Sequence, residues 1–183
     1  MPNNCLGLIE LSSIAAGFSV TDAMLKASAV ELVLARTICS GKYMVVVRGD
    51  VAAVQAAVSA GTAEGDFSVI DTFVIPNIHD TVFTALSGTN RNAPLEALGI
   101  IESFSVASLI EGADAAVKAA NVELLEVRLA MAMGGKAFCT LTGNVAAVQS
   151  AVDAGAEVIA DKGLLVNRVV IPNPREELMS EMI

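Results

Sequence analysis

The sequence predicts an α+β protein built from two tandem copies of one ferredoxin-like domain, and three observations carry this prediction. The segment Gly49 to Gly61, GDVAAVQAAVSAG, returns at Gly143 to Gly155 as GNVAAVQSAVDAG, identical at ten of thirteen positions. The shorter motifs LGLIE, DAMLKA and VIPN return in the same order as LGIIE, DAAVKA and VIPN. Each copy also reads β-α-β-β-α-β, which is the ferredoxin-like order. Each repeat is domain-sized, which indicates a tandem duplication and excludes a solenoid.

The repeat sets the expected domain boundaries. The first domain is expected at residues 1–88 and the second at residues 95–183. Between them lies the segment Ser87 to Glu96, SGTNRNAPLE, which holds the Gly, Asn and Pro residues typical of a linker. The offset between the copies grows from 92 to 96 residues along the chain, so the second copy carries two small insertions.

The first half of each copy is predicted from its apolar runs. CLGLIEL reads as a short strand, and a helix follows around SVTDAMLKAS, with Ser19 or Thr21 as a possible N-cap. Two β-rich runs come next, VELVLART and KYMVVVRG. The second run is apolar enough to be a strand buried on both faces.

The second half of each copy begins with a helix. Asp50 is a good N-cap, Val51, Val54 and Val58 form an apolar stripe, and Gly61 stands where a helix could stop. The same design returns in the second copy from Asn144 to Gly155. The last strand, SVIDTFVIP or LLVNRVVIP, ends at a proline and is followed by a short helix.

Composition limits the classes of partner that the protein is expected to bind. The chain has 183 residues, of which 54% are hydrophobic, and its 11 basic and 20 acidic residues give a net charge of -9. This balance argues against nucleic acid as a partner. No apolar run reaches the ~18 residues of a membrane-spanning helix, so no membrane partner is expected. The N-terminus lacks signal-peptide features, which predicts a cytoplasmic protein without disulfides. The apolar content predicts a homo-oligomer.

The residues do not suggest an enzyme. No His-Cys or Ser-His-Asp set has a plausible partner, and the sequence Gly134 to Lys136 lacks the spacing of a phosphate-binding loop. Glu10 and Glu102 are related by the duplication and are not interpreted as an acid/base couple. His79, the only histidine, is expected as a surface or edge residue near the start of the last helix of the first copy.

The repeated motifs resemble those of the bacterial microcompartment shell domain. LGLIE, DAMLKA, an apolar strand ending in RGDVAAV, and VIPNIH are close to that family's motifs and cover nearly all of both copies. Two copies in the non-permuted order resemble the tandem-domain class. The resemblance implies a homotrimer that imitates a hexamer and tiles with other shell proteins into the microcompartment shell.

The same resemblance assigns a pore to the loop between the two middle strands. Within the tandem class, the cysteine of TICSGK resembles that of shell proteins from propanediol-utilisation compartments, where it binds a [4Fe-4S] cluster on the threefold axis. Cys39 is then the expected metal ligand, and three copies would supply three thiolates. The implied function is transfer of electrons or of a cluster across the shell, with encapsulated redox enzymes as partners. The implied pore-lining residues are Cys39, Ser40, Gly41, Met133, Gly134 and Gly135.

The residues alone leave other roles open. An isolated cysteine in an apolar protein is more often a small buried hydrophobe than a ligand, which is the role expected of Cys5 and Cys139. Cys39 and Met133 could also simply narrow a metal-free gated pore for metabolites. A third hypothesis is a ferredoxin-like trimeric regulator that binds a small ligand between subunits.

Two lysines occupy equivalent positions in the copies. Lys26 and Lys118 read most simply as parts of a solvated helix face, whereas the resemblance implies that they lie at the shell edge and pack against a neighbouring assembly. Many edge-forming members of the family carry an arginine after the last strand, where this chain has Asn77 and Asn173. The lateral contacts are therefore expected to differ from those of the bulk shell hexamers.

Overall fold

The computed structural model of the chain describes residues 4–90, 93–130, 133–175 and 177–178. The chain divides into two compact units, Met1–Ile78 and His79–Ile183. Each unit contains one four-stranded sheet whose paired strands are all antiparallel. The α+β class with two tandem ferredoxin-like domains is therefore confirmed. The expected boundaries at 1–88 and 95–183 stay predictions.

The first unit has its strands in the order β2-β3-β1-β4, with α1 and α2 packed on one face of the sheet. Its core on that face is made by inward side chains of β1 and β3, including Ile9 and Val45, together with Val20, Met24 and Val54 from the helices. The elements are β1 (Cys5–Leu11), α1 (Ile14–Ala27), β2 (Glu31–Ile38), β3 (Lys42–Gly49), α2 (Val51–Gly65) and β4 (Val69–Ile75).

The second unit repeats this sheet in the order β6-β7-β5-β8 and adds one helix before it. The elements are α3 (Asp80–Ser87), β5 (Ala97–Ser103), α4 (Val106–Ala119), β6 (Glu123–Leu129), β7 (Ala137–Gly143), α5 (Val145–Ala160) and β8 (Leu165–Pro172). Helix α3 follows the first copy in sequence but packs against β6. The helix after the second copy, expected from the repeat, falls mainly on residues 176 and 179–183, which lie outside the described residues.

Helices begin at the predicted N-caps in two of the three predicted places. The Asp50 carboxylate accepts a hydrogen bond from the Ala53 amide at 2.8 Å, and the Asn144 side chain accepts one from Ala147 at 2.9 Å. These two N-caps are confirmed. The prediction for α1 was wrong, because the helix begins earlier, at Ile14, with Ser13 as its N-cap. Ser19 and Thr21 lie inside the helix, where the Thr21 hydroxyl donates to the Gly17 carbonyl at 2.6 Å.

Gly61 does not end its helix, contrary to the sequence prediction. Helix α2 continues to Gly65, and α5 likewise continues past Gly155 to Ala160. A Cβ at Gly61 would come within 2.6 Å of both Ile9 and Met24, so this glycine permits close packing of α2 on the sheet and on α1. The predicted stripe is also shorter than expected, since Val54 and Val58 are buried but Val51 is exposed.

Among the residues that the structure describes, no helix is both long and apolar enough to cross a membrane.

Candidate functional site

The loop that holds Cys39 is a tight connection between two paired strands. Strands β2 and β3 are paired up to Ile38 and Lys42, which leaves only Cys39 to Gly41 to make the turn. Ser40 and Gly41 both have left-handed backbones, with φ angles of 64° and 71°. A serine in this region carries a small backbone strain, which persists only where the surrounding strands fix the turn. The Cys39 side chain is half-buried, whereas Ser40 and Gly41 are exposed.

The equivalent loop of the second unit is built from different residues. It connects β6 to β7, and its described part contains Met133, Gly134 and Gly135. The two glycines are left-handed, with φ angles of 62° and 89°. The Lys136 amide donates to the Met133 carbonyl at 3.2 Å and so closes the turn. The duplication therefore kept a glycine-containing turn at both places but a cysteine at only one.

Both loops are held at their base by an ion pair that the sequence prediction missed. The Lys42 ammonium contacts the Glu10 carboxylate of β1 at 2.7 Å, and Lys136 contacts Glu102 of β5 at 2.5 Å. Each lysine is the residue directly after the glycine of its loop. The sequence contains the glutamate of LGLIE and LGIIE and the lysine after each loop glycine, but only the register of the antiparallel strands shows that the two residues meet.

The donor set at Cys39 decides which metal group the loop could hold. Within the described part of one chain, no three His, Cys, Asp or Glu side chains form a group that could bind a metal ion. Cys39 can thus supply one thiolate, whereas an iron-sulfur cluster is held by several. The loop is compatible with a cluster shared between copies, because a Cβ added at Gly41, two residues after the thiol, would find no atom within 4 Å. Small residues around the thiol leave room for a bulky inorganic group.

The other two cysteines lie in strands and are fully buried, as predicted. Burial raises the pKa of the Cys139 thiol to about 12. Burial and, to a smaller extent, the nearby Asp50 carboxylate raise the pKa of Cys5. Such thiols stay protonated at neutral pH and do not coordinate metals. Both therefore act as small apolar side chains of the two cores.

The two lysines proposed for the shell edge have unequal surroundings. Both lie in the last turn of a helix, Lys26 in α1 and Lys118 in α4, and each pairs with an aspartate four residues earlier. The Asp22 side chain is 62% exposed, but that of Asp114 is only 12% exposed. The Lys118 ammonium is thereby held by a nearly buried carboxylate, while Lys26 projects from an open helix face.

Asp114 has a second contact that accounts for its burial. Its carboxylate also accepts a hydrogen bond from the backbone amide of His79 at 2.7 Å. His79 is the N-cap of α3 and is exposed, as the sequence predicted for this residue. Asp114 thus joins the start of α3 to α4 inside the second unit, a role without a counterpart at Asp22 in the described contacts.

The fold and the site define a class: two ferredoxin-like units in tandem. Each has a short glycine-containing loop between its middle strands and a lysine in the last turn of the helix that precedes those strands. The model of the BMC domain matches this chain twice, at residues 5–78 and 97–174. The chain therefore belongs to the BMC-domain family, and it is a tandem-domain shell protein of a bacterial microcompartment.

Several known proteins are similar over the whole chain or over one copy. The bacterial microcompartment shell protein PduT of Citrobacter freundii is 44% identical over 181 residues, covering 99% of this chain and 98% of that protein. The shell protein EutM of Salmonella typhimurium is also 44% identical, but over 84 residues, which is 46% of this chain and 85% of EutM. A crystal structure of a microcompartment protein from Desulfitobacterium hafniense has 49% identity and a TM-score of 0.94, covering 96% of this chain and 98% of that one.

Proposed function

We propose that this shell protein forms a homotrimer that imitates a hexamer, and that three copies of Cys39 bind one [4Fe-4S] cluster at the threefold axis. The observation that carries this proposal is the position of Cys39, in a three-residue turn at the strand end where the equivalent loop has Met133. A thiol in the interior of a unit could not meet its copies, but a thiol at an exposed turn can.

The number of thiolates available to the cluster follows from the threefold symmetry of the trimer. One thiolate per chain becomes three around a threefold axis, enough for three of the four irons of a cubane cluster. The fourth iron would keep an exchangeable ligand. Bound there, the cluster would supply one-electron redox chemistry, and the protein would contribute three thiolates and the neighbouring backbone amides. The working function is transfer of electrons, or of a cluster, across the shell to encapsulated redox enzymes.

Exposed apolar side chains support assembly of the chain with other copies or with other shell proteins. Phe67 is 94% exposed, Phe18 is 66% exposed and Phe104 is 60% exposed. Phe18 and Phe67 lie at the same end of the first unit as the Cys39 turn. The Phe18 ring is 5.3 Å from the Tyr43 ring near the start of β3, and Ser12, which follows Leu11, the partner of Tyr43, is hydrogen-bonded to Ser68. Large exposed aromatic side chains are unusual on a monomer and mark contact surfaces. Assembly through these side chains needs no catalytic group, so the role proposed for them is structural.

A second candidate is a gated pore without metal. The observation that favours it is that a Cβ at Gly41, Gly134 or Gly135 would meet no atom within 4 Å, so neither turn is filled by the side chains of its own unit. In this case Cys39 and Met133 would narrow the opening for metabolites, and the chain would be a passive gate.

The test is anaerobic purification of the wild type, followed by the visible absorption spectrum and by iron and sulfide determination per chain. We expect a brown trimer with about four irons per three chains. Cys39→Ser should lose the colour and the iron but remain a trimer. Met133→Ser, at the matched turn of the second unit, should keep both.

A wild type that is trimeric but colourless, even after reconstitution with iron and sulfide, would favour the metal-free gate. A wild type that is monomeric under the same conditions would contradict both candidates.

A further inference from the structure

The outer face of β2 in the first unit contains an arginine without a complete set of hydrogen bonds. Arg36 lies opposite Met44 of β3, on the face that points away from α1 and α2. Its Nε atom is buried and has no hydrogen-bond partner among the described residues. A buried guanidinium N–H without an acceptor loses its hydration and gains nothing in return. Burial correspondingly lowers the pKa of Arg36.

In the second unit, the arginine aligned with Arg36 does have a hydrogen-bond partner. Arg128 occupies the equivalent position, opposite Phe138, and its guanidinium lies 5.5 Å from the centre of that ring. It donates to the Glu126 carboxylate at 2.8 Å. Glu126 is aligned with Leu34 in the first unit. The duplication therefore retained the arginine in both units but left a carboxylate on the strand of only one.

In the second unit this site lies beside a helix. Helix α3 packs against β6, and its buried side chains include Val82 and Ala85. Just after the helix, the Thr89 hydroxyl donates to Glu126 at 3.3 Å and the Asn90 amide donates to the Leu125 carbonyl at 2.7 Å. The segment that follows the first VIPN motif is therefore the segment that covers β6.

An equivalent segment follows the second VIPN motif. Asn77 and Asn173, which close the two motifs, share a left-handed backbone with φ angles of 56° and 47°. The same offset of 96 aligns Leu178 with Val82. Val82 is fully buried, but Leu178 is 39% exposed, so an apolar residue at the corresponding position lacks its cover.

The offset also aligns Glu181 with Ala85, the buried residue of α3. The two sites are then complementary in composition. In the second unit the strand provides Glu126 and the helix provides Ala85; for the first unit the strand provides Leu34 and the corresponding segment provides Glu181. One carboxylate is available for each arginine in both cases.

We propose that the C-terminal segment, residues 174–183, of one chain docks on β2 of the first unit of a neighbouring copy, where Glu181 accepts hydrogen bonds from Arg36. The proposal rests on the homotrimer of the proposed function. In a ring of alternating first and second units, the segment after each copy packs on the unit that comes next. The segment after the second copy then reaches the next chain. The occupant is therefore a second copy of this chain.

A cross-linking experiment tests the placement. Arg36→Cys and Glu181→Cys are combined in the full chain in a Cys39→Ser background, and the protein is oxidised mildly and run on a denaturing gel. We expect covalent dimers and trimers. The matched control replaces Glu181→Cys with Glu177→Cys, because Glu177 is aligned with the exposed Thr81 of α3. The control should give at least tenfold less of these products. Equal products from both pairs, no product, or only a cross-linked monomer would overturn the proposal.

A charge exchange tests the ion pair without cysteines. Arg36→Glu and Glu181→Arg should each raise the trimer dissociation constant at least tenfold, since each leaves a charge without its partner. The double variant should return to within about threefold of the wild type. Glu177→Arg should have no such effect. If the wild type forms a trimer and Glu181→Arg leaves the dissociation constant unchanged, this inference alone is overturned. A wild type that forms no trimer would overturn the proposed function as well.

Discussion

The two units of the chain have the same backbone and different distributions of side-chain volume. Their strand orders correspond, and both have a register shift at the end of β1 or β5 and another within β2 or β6. The cores, however, are filled differently. Gly17 of α1 packs against the Tyr43 ring, and a Cβ at Gly17 would overlap that ring. The aligned pair in the second unit is Leu109 and Ala137, both fully buried.

This exchange of a large and a small residue teaches how a duplicated fold diverges. Protein interiors are close-packed, so a change of volume at one position is tolerated when a facing position changes in the opposite sense. Charge is matched within the strand only in the second unit, where the Glu126 carboxylate pairs with Arg128. In the first unit, Leu34 occupies the corresponding position beside Arg36. In the core, each copy is internally matched in volume, so single residues cannot be exchanged between the copies without a loss of stability.

The largest expected effect comes from breaking one such match. Gly17→Leu introduces the residue of the second unit opposite Tyr43, which has not been reduced in size. We expect the free energy of unfolding to fall by about 3 kcal/mol, because the side chain has no space. Adding Tyr43→Ala recreates the Leu109 and Ala137 pair and should recover the loss to within about 1 kcal/mol. Urea unfolding at a fixed protein concentration measures both, and a double variant no more stable than the single would refute the matching of volumes.

A smaller effect distinguishes the two aspartates. Asp114→Asn removes a carboxylate that accepts hydrogen bonds from both the His79 amide and the Lys118 ammonium. The amide oxygen cannot replace the charge, so we expect a loss of about 2 kcal/mol. Asp22→Asn is the matched control, where the exposed ion pair should be worth less than about 0.5 kcal/mol. Equal effects of the two substitutions would show that the nearly buried charge of Asp114 contributes no more than the exposed charge of Asp22.

The buried thiol of Cys139 makes the stability of the second unit depend on pH. Cys139 is aligned with Val45, and burial raises its pKa from the ordinary value of 9.0 to about 12. The unfolded chain therefore releases this proton at lower pH than the folded one. Stability is fully present below about pH 9 and declines above it, by about 1 kcal/mol between pH 9 and 10 from this group.

Cys139→Val should remove this part of the pH dependence and cost less than about 1.5 kcal/mol at neutral pH, since it adds only one methyl group and the aligned position in the first unit holds Val45. Part of the slope should remain, because the pKa of Cys5 is also raised. Unfolding curves of the wild type and the variant at several pH values measure the difference. Parallel curves over this range would mean that Cys139 ionises normally in the folded protein.

Much of the fold could be predicted from the sequence because the duplication states each element twice. Asp50 and Asn144 are short polar residues that precede apolar stripes, and both are confirmed as N-caps. The ends of α1 and α2 could not be predicted from local signals, because Ser13 competes with Ser19 and Thr21, and Gly61 is required by packing against Met24. Local propensity is weak where tertiary contacts decide.

The site was predictable only in part, for a related reason. The position of Cys39 in a turn follows from the strand pattern, and the structure has it there. The Lys42 and Glu10 pair needs the register of β1 on β3, which the sequence does not state. The buried Nε of Arg36 likewise depends on the register of β2 on β3 and on contacts between distant segments. Contacts between distant segments are therefore what sequence patterns leave open.

The smallest expected effect on stability belongs to the lysines proposed for the shell edge. The Lys26 and Asp22 side chains are 74% and 62% exposed, so Lys26→Ala should change the free energy of unfolding by less than about 0.5 kcal/mol. Its effect on lateral assembly should nevertheless be large, because the lysine side chain projects from an open face and is available to a neighbouring trimer. Electron microscopy of the overexpressed protein should show sheets for the wild type and Asp22→Ala, and separate particles for Lys26→Ala. Lys118 is held by Asp114, so Lys118→Ala should weaken the sheets less than Lys26→Ala does. Sheets that survive both lysine substitutions would remove the edge role, and the unequal surroundings of the two lysines would then be a feature of folding alone.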